Sequence, residues 1–213
     1  MPICRECKWL KENKCTCIYR RNDGPERYCV NAIRKKYAPT FYGNVLEIGF
    51  GVNKLFRKSL PNNAIWYGID PRYNTIQEHN RFGWSVTNME FGEEFFDFVF
   101  AGQSMEHWSD NEEDLRTGLK LINRVLKTNG MLLIDVPIHL HGNEIFIKGD
   151  LKSIYNLFDQ SQWYDITFEN WRFDYYPLEP IQTWRNKNKE MIIKNSEQEI
   201  PSIWNLEITA NKK

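Results

Sequence analysis

The sequence has no apolar run long enough to cross a membrane and no excess of charge of either sign. A transmembrane helix needs about 20 predominantly apolar residues, and no stretch of the 213 residues approaches that length. Lys and Arg together number 28, as do Asp and Glu, so no overall field draws the chain to nucleic acid or to an anionic membrane. The first 28 residues are polar and do not resemble a signal peptide. These absences predict a cytoplasmic protein without a membrane partner.

Cysteine is absent after residue 29. The five cysteines are Cys4, Cys7, Cys15, Cys17 and Cys29. In a reducing compartment they should be thiols or metal ligands rather than disulfides. The first pair forms a CxxC, which suits one half of a zinc site, but the second pair is a CxC and the usual second CxxC is missing. A structural zinc ion is preferred here, while free thiols and an iron–sulfur cluster stay open.

The length and the order of the apolar runs predict one main domain with an appendage. Residues 1–37 are predicted to form a Cys-rich segment with a leading helix, and residues 38–213 to form the main domain. Four short apolar runs alternate with helical patterns, at 45–48, 64–69, 96–100 and 131–136. Near-continuous apolar strands separated by helices are typical of a parallel sheet covered on both faces. We therefore expect an α/β fold.

The segment between the last two of these runs predicts the clearest helix. Ser109 and Glu112 have the spacing of a capping box, and apolar residues follow at helical spacing as far as Leu126. Asn129 and Gly130 are typical of a helix end. Three further elements are expected downstream: a helix over 150–158 and strands over 163–168 and 203–209.

Two glycines follow the first predicted strand. Gly49 and Gly51 allow the backbone to turn tightly and a ligand to lie against main-chain N–H groups. Asp70 ends the second strand, close to the spacing at which an acidic residue reaches ribose hydroxyls in dinucleotide-binding folds. A tight turn at the glycines and a helix cap at Asp70 are the alternatives without a ligand.

Four ordered segments, at 45–51, 66–70, 95–107 and 122–134, resemble the motifs of class I S-adenosylmethionine-dependent methyltransferases, in the small-molecule, type 11-like branch. The resemblance implies a Rossmann-like, seven-stranded sheet, mostly parallel, with an antiparallel last strand. It also implies S-adenosylmethionine as cofactor. The residues that it assigns to cofactor binding are Glu47, Gly49, Phe50, Gly51, Asn53, Asp70, Asn88 and Gln103. Two of these residues depart from the family pattern: Asn53 replaces the third glycine, and Gln103 replaces a common histidine. Ser85, which lies near Asn88, also stands where the family commonly has an acidic residue.

The acceptor side of the site is predicted from two histidines and a long connection. His139 and His141 follow the strand 131–136 at the ligand-binding edge, and we interpret them as candidate general bases, with backbone hydrogen bonding as the alternative. The connection over 169–202 is predicted to be a lid-like insertion with aromatic walls and a basic anchor. The candidate substrate-binding residues are Gln103, Arg172, Tyr176 and Trp184.

Three functions agree with these patterns. The first is methylation of a small polar acceptor, such as a sugar or a glycan precursor, by in-line transfer. The second is a nucleic-acid or protein methyltransferase that uses the basic Cys-rich segment, since residues 1–36 hold ten basic and four acidic side chains. Balanced overall charge disfavours nucleic acid. The third is a cofactor-binding scaffold without catalysis, because a fold alone does not prove chemistry. The oligomeric state has no signal in the sequence.

Overall fold

The computed structural model describes residues 33–52, 55–139, 141–172, 180–187, 190–194 and 204–213. The five cysteines, Asn53 and Tyr176 lie outside these ranges. Arg172 and Trp184 lie in strands whose side chains are outside the described part of the structure. The zinc site and the basic and aromatic parts of the lid therefore stay predictions.

The described strands form one sheet in the order β3-β2-β1-β4-β5-β9-β6-β7-β8. Their bounds are β1 Gly43–Ile48, β2 Ala64–Ile69, β3 Arg81–Phe82, β4 Phe96–Gly102, β5 Leu126–Ile138, β6 Trp163–Arg172, β7 Pro180–Lys187, β8 Glu190–Lys194 and β9 Trp204–Lys212. The first five strands pair in parallel. β9 inserts antiparallel between β5 and β6. The predicted seven-stranded Rossmann-like sheet with an antiparallel last strand is confirmed by β1–β6 and β9.

Two additional strands extend the sheet beyond β6. The sequence predicts a loop over 169–202, but the described part of that range lies in β6, β7 and β8, which pair antiparallel in succession. The loop prediction is therefore wrong for these strands. Thr183 in β7 and Ile192 and Ile193 in β8 are β-branched and favour strands, but polar neighbours hide the period in so short a run. That this segment covers the site stays a prediction.

The helices flank the sheet. Their bounds are α1 33–37, α2 Leu55–Ser59, α3 Glu112–Val125, α4 Glu144–Lys148 and α5 Leu151–Tyr155. The predicted cap of α3 is wrong by two residues, because the side chain of Asn111 accepts from the amide of Glu113 at 2.9 Å while Ser109 Oγ bonds Asp114. The helix also ends at Val125, before the predicted Asn–Gly turn. Within the described ranges, no helix combines the length and apolarity needed to cross a bilayer.

Each face of the sheet carries its own apolar core. One core packs α3 on the sheet through Leu119 and Ile122 against residues such as Leu46 and Ile134. The other lies under α1 and α2 and consists of Ile33, Ala38, Phe41, Val45, Phe50, Phe56, Trp66, Phe100 and Leu133. Burial on both faces explains the near-continuous apolar strands. The ends of the strands are the places left for polar chemistry.

Candidate cofactor and acceptor site

The turn after β1 has the backbone conformation that only glycine adopts without strain. The φ angle is +72° at Gly49 and +50° at Gly51. A Cβ on Gly49 would lie 2.6 Å from Cβ of Ser104, which follows β4. A Cβ on Gly51 would have room, since the nearest atom is the Nη2 of Arg72 at 3.6 Å. The absence of a side chain at Gly49 therefore allows the ends of β1 and β4 to approach each other. The absence of a side chain at Gly51 leaves the main chain of the turn uncovered.

Asp70 meets this turn from the end of β2. Its side chain is 1% exposed, and its Oδ2 accepts from the amide of Gly51 at 3.0 Å. The structure thus brings together Gly51 and Asp70, as the sequence spacing predicts. No α-helix follows Asp70 directly in the described chain, which continues as turns. The alternative of a helix cap at this position is therefore wrong.

Arg72 covers the carboxylate of Asp70. Its Nε donates to Oδ1 at 2.8 Å and its Nη2 to Oδ2 at 2.6 Å, while the amide of Arg72 donates to Oδ1 at 3.1 Å. With the amide of Gly51, these donors fill about four acceptor positions, the capacity of an ionised carboxylate. Burial alone would raise the pKa of Asp70, but these hydrogen bonds outweigh it and hold the pKa below its usual range. The side chain of Arg72 is 48% exposed, so it has room to swing away.

Glu47 lies near the carboxyl end of β1 as a buried carboxyl group. Its Oε2 accepts from the indole Nε1 of Trp66 at 2.8 Å. Burial raises its pKa to about 7, although Arg34 and Arg57 act in the opposite direction. Glu47 therefore changes protonation near neutral pH, beside the glycine turn.

Replacement of Glu47 by Gln should alter how stability depends on pH. The folded pKa of about 7 lies above the ordinary 4.5, so the folded protein holds this proton more tightly than the unfolded chain. The resulting stabilisation is complete below about pH 4.5 and is lost as the pH rises through about 7. The difference amounts to roughly 3 kcal/mol at 1.36 kcal/mol per pKa unit. Urea unfolding across this range should show the wild type falling relative to Glu47→Gln, whereas the exposed control Glu90→Gln should run parallel to the wild type.

Gln103 bridges three strands instead of pointing outward. Its Nε2 donates to Asp135 Oδ1 at 2.6 Å and to Asn205 Oδ1 at 2.8 Å. Asp135 in β5 and Asn205 in β9 are both 0% exposed. Burial raises the pKa of Asp135 to about 6, with Arg34 and Gln103 opposing the shift. The sequence reasoning missed this pair; its one signal was a carboxylate that interrupts the apolar run of β5.

A row of carboxylates continues from Asp135 along the sheet. Asp135 lies opposite Glu207 in β9, and Glu207 lies opposite Glu169 in β6. Like charges directly opposite destabilise a sheet. Lys36 of α1 lies between them, with Nζ 3.0 Å from Glu169 and 3.2 Å from Glu207, and Tyr37 donates to Glu207. Burial raises the pKa of Glu207 to about 7. The two contacts of Lys36 nevertheless join α1 to this edge by charge as well as by packing.

Two of the predicted cofactor residues are engaged elsewhere. Phe50 is buried, and its ring packs against Trp66 and Tyr73 in the core under α2. The amide oxygen of Asn88 accepts from the backbone N and the hydroxyl of Ser85, so it closes its own loop. Any cofactor contact from these two residues stays a prediction.

The two histidines after β5 differ in their surroundings. His139 has a φ of +60°, and its Nδ1 lies 2.9 Å from the carbonyl of Ile147, which is the backbone role left open above. His141 is buried; its Nε2 lies 3.8 Å from Oε1 of Glu106, and its ring stacks on that of His107. Burial, together with the neighbouring His107, lowers the pKa of His141 to about 3. His141 is therefore neutral near pH 7, and its role as a base stays a prediction.

A surface depression lies away from these residues. Its volume is about 470 Å³, and Arg57, Ala64 and His79 are among its lining residues. Ala64 begins β2, so the depression is at the opposite end of this strand from Asp70. It is not part of the candidate site.

Comparison with known proteins agrees with this geometry. Residues 46–134 match the model of a methyltransferase domain, and no curated protein sequence matches the chain. An S-adenosylmethionine-dependent methyltransferase from Thermotoga maritima shares 16% identity over 88% of this chain and 90% of its own, with a TM-score of 0.55. The N-methyltransferase NodS from Bradyrhizobium japonicum shares 13% identity over 91% of each chain, with a TM-score of 0.56.

A third similar structure has a different printed activity. The cyclase SpnF shares 15% identity over 67% of this chain, with a TM-score of 0.51, and this chain spans 60% of SpnF. At these identities the solved structures establish the fold alone. The domain match and the fold together confirm the resemblance to class I methyltransferases that the four sequence motifs indicate.

Proposed function

We propose that this chain is an S-adenosylmethionine-dependent methyltransferase that acts on a small polar acceptor. The observation that carries the proposal is the bare turn at Gly49 and Gly51, held against the buried carboxylate of Asp70 at the ends of β1 and β2. Main-chain N–H groups that no side chain covers can donate hydrogen bonds to a polar ligand, and a neighbouring carboxylate can accept from the hydroxyls of a sugar. The methyltransferase domain match over residues 46–134 supports the same activity.

The residues of the candidate site would share the work of such a reaction. S-adenosylmethionine supplies an activated methyl group on a sulfonium. The protein then has to align the acceptor and exclude water, an effect worth up to about 7–11 kcal/mol in favourable cases. Asp70 would hold the ribose hydroxyls once Arg72 leaves, and the amides after Gly49 would hold the amino-acid part. Glu47 and Gln103 would line the same edge.

Asp135 is a better candidate for the general base than either histidine. Asp135 is buried near the end of β5, and among the described residues its Oδ2 has no hydrogen-bond partner. A pKa of about 6 leaves Asp135 mostly ionised at neutral pH while still basic enough to accept a proton. His139 is held to a carbonyl, and the pKa of His141, lowered to about 3 by burial and by His107, makes its imidazole a weaker base than Asp135. A sugar or glycan precursor with a hydroxyl acceptor agrees with this polar edge.

A ligand-binding and turnover experiment tests the proposal. S-adenosylmethionine should raise the melting temperature of the full chain, and a panel of phosphorylated sugars and sugar nucleotides should include one that yields S-adenosylhomocysteine. Asp135→Asn should reduce that turnover by about 10²–10⁴-fold while leaving the ligand-induced melting shift in place. No melting shift at millimolar S-adenosylmethionine would refute the cofactor assignment, and full turnover by Asp135→Asn would refute the base.

The likeness to SpnF favours one second candidate. SpnF is a cyclase with this fold, so the cofactor pocket of this chain could support chemistry other than methyl transfer. A chain that binds S-adenosylmethionine but forms no S-adenosylhomocysteine with any acceptor would support that candidate. Substrate binding by the basic segment 1–36 rests mainly on residues 1–32, which lie outside the described ranges; salt-dependent binding to RNA or DNA tests it.

A further inference from the structure

A carboxylate and two imidazoles meet beside the proposed acceptor edge. Glu106 and His107 belong to the short 3-10 turn Met105–His107 after β4, and His141 follows β5. Oε1 of Glu106 lies 3.8 Å from Nε2 of His107 and 3.8 Å from Nε2 of His141. One ligand atom from each residue lies within 4.8 Å of the other two. The two imidazole rings are nearly parallel, 18° apart, with centroids separated by 5.0 Å.

These separations are close to those around a single metal ion. Imidazole nitrogens and carboxylate oxygens bind divalent transition metals at about 2.0–2.2 Å. Two ligand atoms on one ion are therefore at most about 4.3 Å apart. The carboxylate already satisfies this limit with both imidazoles. The ligand atoms of all three residues lie within 4.8 Å of one another, slightly more than this limit. The side chain of His107 is 53% exposed, so its imidazole can move closer to the other two ligand atoms.

The two buried ligands are held in place by the neighbouring loop. The amide of Asn143 donates to the carbonyl of Glu106 at 2.8 Å. Gly142 has a φ of +94°, and a Cβ there would lie 2.5 Å from the same carbonyl. The side chains of Glu106 and His141 are 0% and 1% exposed.

We propose that Glu106, His107 and His141 bind one divalent transition-metal ion. One carboxylate with two imidazoles is a donor set that suits borderline ions such as Zn²⁺, Fe²⁺ or Co²⁺. Three protein ligands leave coordination positions for water or for an oxygen-bearing ligand. Glu106 is two residues beyond Ser104, which packs on Gly49, so the ion would lie next to the proposed cofactor turn. This site is separate from any metal held by the five cysteines.

Cobalt titration of the full chain tests this proposal without S-adenosylmethionine or an acceptor. The protein is first freed of metal with a chelator, and Co²⁺ binding is then followed by visible absorption. Coordination by nitrogen and oxygen gives weak d–d bands, whereas cysteine thiolates add intense sulfur-to-cobalt charge transfer. We expect one Co²⁺ with the nitrogen and oxygen signature. His107→Ala should lower its affinity by at least about tenfold, since even loss of outer-shell partners costs 10–100-fold.

Two further variants complete the design. His141→Ala should lose the same absorption signature, and His79→Ala, an exposed histidine outside the cluster, should bind Co²⁺ like the wild type. His107 is half exposed, so its replacement keeps the test valid even if His141→Ala does not fold. Unchanged Co²⁺ affinity in His107→Ala, or binding with only thiolate charge transfer, would overturn the proposal. Because no methyl-transfer reagent is present, failure here is distinguishable from failure of the proposed function.

Discussion

Asp70→Asn is expected to weaken S-adenosylmethionine binding about 10- to 100-fold. Hydrogen bonds to a charged group contribute about 1.5–3 kcal/mol, and 1.4 kcal/mol corresponds to a factor of ten. The change keeps the shape of the side chain but removes the charge and half of its acceptor capacity. Gly51 would also lose a charged partner for its amide, which now donates to Oδ2 at 3.0 Å. Isothermal titration of the variant and the wild type measures the effect directly.

Arg72→Ala supplies the matched control. The guanidinium donates to both oxygens of Asp70, so sugar hydroxyls must displace it before they can bind. Removal of Arg72 should therefore leave the affinity unchanged or raise it. The two variants both break the same ion pair, yet the proposal predicts a loss of ligand affinity for Asp70→Asn only. Equal losses in both would mean that the Asp70–Arg72 pair serves the turn alone, and the ribose assignment would then be wrong.

The part of the site that the sequence predicts well is local in the chain. Gly49 and Gly51 follow one strand, Asp70 ends the next, and parallel neighbours necessarily bring such ends to one edge. An apolar run identifies each strand and the glycines identify the turn, and these two signals are sufficient for that prediction. The pairing of Gly51 with Asp70 follows from this, with no need for the rest of the fold.

The part that the sequence could not predict depends on register between distant strands. Gln103 reaches Asn205, 102 residues away, because β9 inserts between β5 and β6. The opposition of Asp135 and Glu207 needs the exact alignment of two antiparallel strands, and a shift of one residue would turn one of them to the other face. Spacing along the chain carries no such information. The covering of Asp70 by Arg72 has a different cause: the two residues are close in the chain, but the contact depends on the rotamer of Arg72, which only the structure gives.

The chemistry of a side chain can also mislead when its burial is unknown. His139 and His141 stand at the right edge for a base, but His139 lies against the carbonyl of Ile147 and His141 is packed beside Glu106. Whether an imidazole meets substrate, backbone or a neighbouring carboxylate depends on the loop conformation. Here Gly142, with its φ of +94°, directs the chain back over Glu106. That contact is the reason the histidine pair separates into two environments.

Gly49→Ala is expected to be the most destabilising of three glycine replacements, by roughly 2–5 kcal/mol. A left-handed backbone costs an alanine about 1–2 kcal/mol, and overpacking adds about 1–3 kcal/mol. The overpacking arises because the new methyl would stand 2.6 Å from Cβ of Ser104. Relief of that clash must move either the end of β1 or the turn after β4. S-adenosylmethionine binding should therefore be lost even in the fraction of the variant that stays folded.

Two other glycines separate the strain from the clash. Gly51→Ala shares the left-handed backbone but has 3.6 Å to its nearest neighbour, so it should cost only about 1–2 kcal/mol. Gly92→Ala has neither a positive φ nor an atom within 4 Å, and it should stay within about 0.5 kcal/mol of the wild type. Urea unfolding of the three variants gives the order directly. A Gly49→Ala variant as stable as Gly51→Ala, or more stable, would mean that Ser104 moves aside at little cost. The close approach of the ends of β1 and β4 would then not determine the shape of the turn after β1.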